Sequence, residues 1–361
     1  MKTSVNTESI VNHIRENYGD DITTKEVELT AAHFDLSPQT IKMRITNYRS
    51  GRGTWCMNMD DVREDLEKLV TNYGDHVPQK DPKYVPFGNF TDVKKILRSG
   101  AFFPCFITGM SGNGKTVSVE QACAQLGREL IRVNITIETD EDDLIGGFRL
   151  DDPNDNTVTV WQDGPVIQAL KRGAVLLLDE VDLASNKIMC LQSILEGKGI
   201  YIKKTGEFVP MTPGFNIVAT ANTKGQGCES GKFIGTNVLN EAFLERFALT
   251  FEQQYPTITV EQKILANVFV DDKKDYTDDM KDFAAKLCKW ANKIRSANKR
   301  GFQDEVISTR RLVHIVNAYK VWGDRTKAVK MCLNRFDEET KTSFLDYYDK
   351  VDENVEIEVD E

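Results

Sequence analysis

The chain contains few histidines and no closely spaced pair of cysteines. Among its 361 residues there are four histidines, and the seven cysteines are scattered at positions 56, 105, 123, 190, 228, 288 and 332 without a Cys-x-x-Cys pair. This spacing argues against a zinc site, and an odd, scattered set argues against a disulfide framework. We expect the cysteines to be small buried side chains in a reducing compartment.

Long apolar runs are also absent. No stretch approaches the roughly 20 consecutive apolar residues that cross a bilayer, and the N-terminus lacks the apolar core of a signal peptide. We therefore expect a cytoplasmic protein with no membrane partner. The formal charge of −10 argues against bulk nucleic-acid binding by the whole chain. A hydrophobic fraction of 40% and a length of 361 residues suit a globular protein of two or three domains.

One segment, Gly-Met-Ser-Gly-Asn-Gly-Lys-Thr, fits the phosphate-binding pattern G-x-x-x-x-G-K-[ST]. Its glycines let successive backbone N–H groups curl around a phosphate, and its lysine supplies charge to the β- and γ-oxygens. Its threonine hydroxyl can bind Mg²⁺. A buried strand is predicted over 101–108 and a helix from residue 117, so ATP and Mg²⁺ are the expected ligands. The predicted phosphate-binding residues are Gly109, Met110, Ser111, Gly112, Asn113, Gly114, Lys115 and Thr116.

Two further apolar runs end in polar side chains. The run over 174–178 ends in Asp179 and Glu180, and the run over 215–221 ends in Asn222. A strand buried on both faces would bring Asp179 beside the phosphate loop, where it can hold Mg²⁺. Glu180 could then deprotonate the attacking water. Asn222 suits contact with that water or the γ-phosphate, although an ordinary turn asparagine fits the same pattern.

Residues 1–72 predict a small helical domain with a helix-turn-helix-like shape. Helices are expected over 8–18, 24–34 and 39–48, with a turn over 35–37 between the last two. The last helix and its tail carry the basic residues Lys42, Arg44, Arg49 and Arg52. They predict either a DNA-facing recognition helix or an adaptor whose basic face meets solvent or an acidic protein.

The rest of the chain divides by composition and periodicity. Residues 73–90 contain three prolines and predict a linker or an extended arm on the next domain. An α/β core is expected over 91–256, with hairpin signals at 147–161 and 199–209. A helical region follows over 257–348, and the acidic tail over 349–361 is expected to be disordered.

The ordered set of motifs resembles the AAA+ ATPases over roughly residues 75–345. Besides the phosphate loop, the Asp-Glu strand and the Asn-tipped strand, it includes Leu244-Glu245-Arg246-Phe247 and an arginine at a late helix start. The two hairpins are similar to those of MoxR-type, dynein-related and chelatase AAA+ proteins. Within that clade the sequence resembles the small AAA+ subunit of aerobic cobaltochelatases, over segments 76–84, 132–134, 143–146, 163–164, 219–223 and 235–236.

The resemblance implies a fold and a set of roles. The fold is a three-layer α/β/α core with a parallel sheet, two inserted hairpins and a C-terminal helical lid. The implied catalytic residues are Glu180 as general base, Asn222 as sensor 1, Arg246 as an arginine finger and Arg310 as sensor 2. Arg311 remains a neighbouring candidate for sensor 2. Lys115 and Thr116 are implied to bind the phosphates and Mg²⁺, Asp179 to bind the metal through water, and Asn134 to restrain Glu180.

An arginine finger acts on the next subunit, so the resemblance implies a closed ring, expected to be a hexamer. The leading hypothesis is an ATP-hydrolysing remodelling motor acting on a protein partner, expected to be a VWA-domain protein. The alternatives are a DNA-associated regulator that uses residues 20–53, and a nucleotide-switched scaffold. ATP is expected over GTP because no Asn-Lys-x-Asp segment occurs. Nothing resembles a corrin or porphyrin site, so chelation by this chain itself is not predicted.

Overall fold

The computed structural model describes residues 7–18, 21–34, 36–44, 49–51, 54–56, 76–151, 158–227, 235–270 and 275–353. The chain divides into two compact units, Met1–Asp75 and His76–Glu361. The second unit therefore begins inside the predicted linker. The arm from residue 76 contacts the core, because Leu130 donates its N–H to His76 O at 3.0 Å and Gln121 donates to Gln79 O at 3.1 Å.

The N-terminal unit combines three helices with a small antiparallel sheet. Its helices are Thr7–Tyr18, Thr24–His33 and Pro38–Arg44, and its strands are β1 (Asp21–Thr23), β2 (Arg49–Gly51) and β3 (Thr54–Cys56), in the order β1-β3-β2. A capping box between Thr23 and Glu26 starts the second helix. The buried core is formed by Ile10, Val11, Ile14, Ile22, Val27, Ala31 and Ile41.

The prediction of an all-helical N-terminal domain is wrong in one respect. Helices do flank the predicted turn, but Arg49 lies in β2 and pairs with Trp55 of β3, outside any helix. Strands of three residues are too short to show a period-two pattern, so composition alone did not reveal them. The two helices that flank the predicted turn are thus followed by the antiparallel strands β2 and β3. Residues 45–48, at the end of the predicted helix, and Arg52 lie outside the described residues.

A five-stranded parallel sheet organises the second unit. Its strand order is β12-β4-β11-β8-β5, and every neighbouring pair is parallel. The strands are β4 (Cys105–Thr108), β5 (Leu130–Asn134), β8 (Val175–Asp179), β11 (Asn216–Ala221) and β12 (Leu249–Glu252). In β8, Leu176 and Leu178 pack into one apolar cluster, whereas Val175 and Leu177 pack into another. Since side chains alternate across a strand, the sheet is buried on both faces, which gives the expected three layers.

Helices and hairpins surround this sheet. The helices are Phe90–Ser99, Lys115–Leu126, Glu141–Leu144, Pro165–Arg172, Gln192–Leu195 and Glu241–Leu244, with 3₁₀ helices at Val181–Leu183 and Asn186–Leu191. Both predicted hairpins are present, as β6 (Gly146–Asp151) with β7 (Val158–Asp163) and β9 (Ile200–Ile202) with β10 (Glu207–Val209). Over 186–195 the chain is a 3₁₀ helix followed by a short α-helix, and the helix that precedes Arg246 is limited to Glu241–Leu244.

Five helices form the C-terminal lid around a separate core. They are Ile258–Phe269, Asp278–Lys299, Thr309–Trp322, Arg325–Leu333 and Glu338–Asp352. The predicted start of a disordered tail at Asp349 is wrong, because the last helix continues to Asp352. Val351 is buried in the lid core, and Asp352 lies 3.1 Å from Lys286. Residues 354–361 lie outside the described residues. Throughout the described part of the chain, helices fall short of the length and apolarity that a bilayer crossing needs.

Candidate functional site

A cavity of about 380 Å³ lies at the carboxyl ends of the central strands. Parallel strands bring their carboxyl ends to one edge, where open α/β sheets form their ligand sites. The cavity collects predicted residues from five separate segments of the chain. Those that line it are Ser111, Gly112, Asn113, Gly114, Lys115, Thr116, Asn134, Asp179, Glu180, Asn222 and Arg310.

The phosphate loop depends on glycine geometry. Gly114 has φ +84° and forms the left-handed N-cap of the helix Lys115–Leu126. At Gly109, φ is +145°, and an added Cβ would lie 2.3 Å from the carbonyl oxygen of Gln253. Both conformations favour glycine, and the second site has no room for a side chain. The loop therefore presents its backbone at the start of a helix, where the unpaired N–H groups suit an anion.

Lys115 is held inside this loop. Its Nζ donates to Gly109 O at 2.6 Å, to Met110 O at 3.1 Å and to Asn222 Oδ1 at 3.2 Å. Burial lowers the pKa of Lys115 to about 8, although the nearby carboxylates of Asp182 and Asp179 oppose the shift. Gly109 and Met110 therefore contribute carbonyl groups to the loop although neither lines the cavity.

Asp179 lies at the end of β8 beside Thr116. The Thr116 hydroxyl donates to Asp179 Oδ1 at 2.9 Å, and the Thr220 hydroxyl donates to the same oxygen. The second oxygen, Oδ2, accepts from Arg132 Nη2 at 2.5 Å. A hydroxyl and a buried carboxylate are oxygen ligands of the kind that Mg²⁺ prefers, and they adjoin the phosphate loop. The residues present thus fit Mg²⁺ bound together with a nucleoside triphosphate.

Glu180 follows in an unusual backbone conformation. With φ +58° it is the single non-glycine residue of the described segments with a left-handed backbone. Its N–H donates to Thr220 Oγ1 at 3.3 Å, and its side chain is exposed in the cavity lining. Such strain costs about 1–3 kcal/mol and persists where the surroundings impose it, often at functional sites. The turn separates Glu180 from the buried Asp179 and leaves it available to solvent.

Asn222 is fixed by an aspartate that the sequence analysis missed. Asp182 is fully buried, and its Oδ2 accepts from the N–H groups of Asn222 and Thr223, both at 2.9 Å. Its other oxygen, Oδ1, has no hydrogen-bond partner. The sequence does contain a third acidic residue in the segment Asp179-Glu180-Val181-Asp182. From the local sequence alone, however, Asp182 looks like a solvent-exposed residue.

Arg132 is a second residue without a predicted role. Besides Asp179, it contacts Glu120 Oε1 at 2.9 Å and Asn134 Oδ1 at 3.1 Å. The amide oxygen of Asn134 accepts from Arg132 in this structure, and its expected restraint of Glu180 stays a prediction. A charged residue between the apolar residues Ile131 and Val133 of strand β5 was the available signal. Thr220 gave no signal in the sequence, because threonine is common in β-strands.

The lid brings Arg310 to the phosphate loop. Its N–H donates to Gly112 O at 3.3 Å, and a Cβ added at Gly112 would lie 2.8 Å from Ser308 Oγ. Arg310 lines the phosphate cavity, whereas Arg311 lines a neighbouring cavity. Of the two candidates left open by the sequence, Arg310 is thus the one that borders the phosphate loop.

Arg246 lies apart from this cluster. Its Nε and Nη2 donate to Glu196 Oε1 at 2.9 and 2.7 Å, and its Nη1 donates to Ala242 O. It does not line the phosphate cavity of its own chain. The structure therefore does not bring Arg246 together with Lys115 and Glu180 within one chain.

A third cavity, also of about 380 Å³, lies between the arm and the lid. Apolar side chains line it from both sides, while the phosphate loop forms its base. They are Tyr84, Val85 and Phe87 from the arm and Ile264, Val268 and Val313 from the lid. An apolar slot that opens onto the phosphate loop suits a flat nucleobase.

These features together define a P-loop nucleoside triphosphatase with an α/β core and a helical lid. Residues 104–247 match the family described as AAA domain (dynein-related subfamily). This match bears out the prediction of an AAA+ ATPase of the MoxR and CobS-like kind.

The chain is also similar to several known proteins. The chain is 26% identical over 294 residues to the aerobic cobaltochelatase subunit CobS of a Sinorhizobium species, covering 80% of this chain and 87% of that protein. It is 29% identical over 234 residues to an uncharacterized protein of Staphylococcus saprophyticus, covering 63% and 81%. A crystal structure from Cytophaga hutchinsonii is similar with TM-score 0.40 and 17% identity, covering 75% of this chain and 85% of that one.

Proposed function

We propose that the protein is a Mg²⁺-dependent ATPase that works as a ring-shaped remodelling motor. The main observation in support of this proposal is the 2.9 Å hydrogen bond between Thr116 Oγ1 and Asp179 Oδ1 at the start of the phosphate-loop helix. It places the two expected metal ligands, which lie 63 residues apart, side by side. The nucleobase is assigned to the apolar slot between arm and lid.

Each residue of the cavity has a role in this proposal. Thr116 and Asp179 would hold Mg²⁺, which neutralises charge on the transferred phosphoryl group when bound. Lys115 and the loop N–H groups bind the phosphates. Glu180 accepts the proton of the attacking water, and Asn222 orients that water or the γ-phosphate.

The site needs two further arginines. Arg310 is assigned to sensor 2 because it borders the phosphate loop from the lid. Arg246 is assigned as an arginine finger for the next subunit, and its position outside its own cavity supports action on a neighbour. A head-to-tail contact of this kind closes into a ring, for which we propose six copies.

The motor is proposed to act on a protein, and a VWA-domain protein is the partner to test first. The similarity to a cobaltochelatase subunit supports partnership with other subunits but names no substrate for this chain. A Glu180→Gln protein should bind ATP without turning it over and should retain its partner. Affinity capture with ATP present, followed by mass spectrometry, identifies that partner, and recovery of nucleic acid in its place would contradict the protein-remodelling proposal.

The primary assay is steady-state ATP hydrolysis with and without Mg²⁺. Glu180→Gln should lower turnover by about 10²–10⁴-fold, the usual contribution of a general base, while equilibrium ATP binding persists. Glu207→Gln, at an exposed glutamate on β10, removes the same charge outside the site and should retain full activity. Equal turnover in both variants would refute the role of Glu180.

A second candidate function rests on the N-terminal unit. Its helix-turn-helix is followed by the β2–β3 hairpin, and this topology favours a DNA-associated regulator. Binding should then weaken steeply with salt and vanish when Lys42, Arg44, Arg49 and Arg52 are changed to alanine. A mobility-shift titration at several salt concentrations measures this, and an unchanged shift in the quadruple variant would remove this candidate.

A further inference from the structure

A smaller cavity adjoins the phosphate cavity on the lid side. Its volume is about 280 Å³, and Ser111 and Arg310 line both cavities. The other lining residues come from the phosphate loop, the segment after β12 and the lid. They are Met110, Tyr255, Glu305, Val306, Ser308, Arg311, Arg335 and Phe336.

The lining of this cavity is strongly cationic. Three arginines line it, Arg310, Arg311 and Arg335, together with a single acidic residue, Glu305. Glu305 lies 3.6 Å from Arg335, a loose ion pair between partly exposed side chains. Within the described part of the chain, no hydrogen bond or ion pair holds the side chains of Arg310 and Arg311. Among the described residues, Arg310 and Arg311 thus form no direct ion pair at this cavity.

The surrounding groups respond to this excess of positive charge. Burial, together with the nearby Arg335, lowers the pKa of Arg311. Burial also lowers the pKa of His314, and the charges of Arg311 and Arg310 lower it further. Like charges that depress one another's pKa values would be stabilised by a bound anion.

The geometry of the cavity also suits an anion. Ser308 caps the 14-residue helix Thr309–Trp322, whose positive end lies at the cavity. The guanidinium carbon of Arg335 lies 4.5 Å from the ring centre of the buried Phe336, which limits the movement of that side chain. Arginine forks held in this way bind tetrahedral and planar oxyanions through paired N–H groups.

We propose that this cavity is a second anion site that binds a phosphate-sized oxyanion through Arg311 and Arg335, separately from the phosphate loop. Arg310 stands between the two cavities. Hydrolysis of ATP by water yields ADP and inorganic phosphate in the phosphate cavity. This inorganic phosphate would fit the second anion site and would reach it past Arg310. The supply of phosphate by ATP hydrolysis rests on the proposed ATPase function. Binding of an anion in the second cavity does not depend on that function.

Direct binding of inorganic phosphate tests the proposal. The full-length protein is first saturated with Mg²⁺ and a non-hydrolysable ATP analogue, so that the phosphate loop and its γ-position are filled. Isothermal titration with phosphate should then show one further site per chain. In the Arg311→Gln/Arg335→Gln protein, affinity for phosphate should fall at least about tenfold, because two charge-assisted contacts are lost.

Matched controls separate this site from general charge effects. Lys289→Gln/Lys330→Gln removes the same charge at two exposed lid lysines and should bind phosphate like the parent protein. The Arg311→Gln/Arg335→Gln protein should also bind the ATP analogue with unchanged affinity. Failure of the analogue-saturated protein to bind phosphate, or equal binding by both double variants, overturns the proposal. ATP turnover by the parent protein is measured separately. It tests the ATPase proposal independently, whether or not the second anion site is found.

Discussion

The buried ion pair of the lid allows a quantitative prediction. Arg295 donates to both oxygens of Glu261, at 2.8 and 3.1 Å, and to Ile307 O at 2.8 Å. The side chains are 8% and 0% exposed, and Thr309 Oγ1 donates to Glu261 Oε1 at 2.6 Å. Both charges are thus removed from water and depend on each other.

Removing one partner leaves the other charge buried without compensation. Glu261→Ala should therefore lower the free energy of unfolding by about 3–5 kcal/mol. Replacing both, as in Glu261→Leu/Arg295→Met, should cost much less than the sum of the two single changes, because no charge is left unpaired. Thr309→Val removes one hydrogen bond to the buried carboxylate of Glu261 and should cost about 1.5–3 kcal/mol.

Urea denaturation followed by tryptophan fluorescence measures these differences, since Trp290 is buried in the lid core. The reasoning would be refuted if Glu261→Ala cost less than about 1 kcal/mol, or if the double change equalled the sum of the single changes. The same pair also bears on the site. Arg295 lies over the ring of Tyr255 at 4.1 Å, and Tyr255 donates to Ser111 O of the phosphate loop at 2.8 Å.

Three shorter predictions concern other parts of the molecule. Gly109→Ala should abolish nucleotide binding in a fluorescent-nucleotide titration, because its Cβ would lie 2.3 Å from Gln253 O; binding at parental affinity would contradict the loop geometry. Thr116→Val should weaken binding of ATP far more with Mg²⁺ present than with the metal chelated, and an equal loss in both conditions would argue against a metal ligand. Burial and the stacked His33 lower the pKa of His13, so the N-terminal unit should lose stability as the pH falls below about 6.5. Hydrogen exchange of Thr7–His33 in the full chain, corrected for intrinsic rates, measures this, and His13→Phe should flatten the loss.

The parts of the site that sequence could predict are those with local signals. The phosphate loop and the Asp179–Glu180 strand end can each be recognised from a segment of no more than eight residues. They lie close together because the carboxyl ends of parallel strands meet at one edge of the sheet. Asp182 and Arg132 carry no such signal. Their roles depend on contacts with Asn222 and Asp179, which lie more than 35 residues away along the chain.

The fold shows the same division. Apolar runs of strand length predicted sheet strands such as β4, β8 and β11, and helical periodicity predicted the lid. The three-residue strands of the N-terminal unit were missed because so short a segment cannot show alternation. The helix that extends to Asp352 was missed because its last turn is acidic. It remains helical because Tyr348 and Val351 are buried against the lid core, and that packing cannot be read from local charge.

The central claim is that each ATPase site is completed by Arg246 of a neighbouring copy. The most direct measurement mixes two proteins, Glu180→Gln and Arg246→Ala, each of which should be inactive alone. In mixed rings about a quarter of the interfaces would pair an intact Glu180 with an intact Arg246 from the next subunit. The account predicts that ATP hydrolysis returns on mixing, in proportion to those interfaces. A mixture that stays as inactive as its two components, although both bind ATP and assemble, would contradict it.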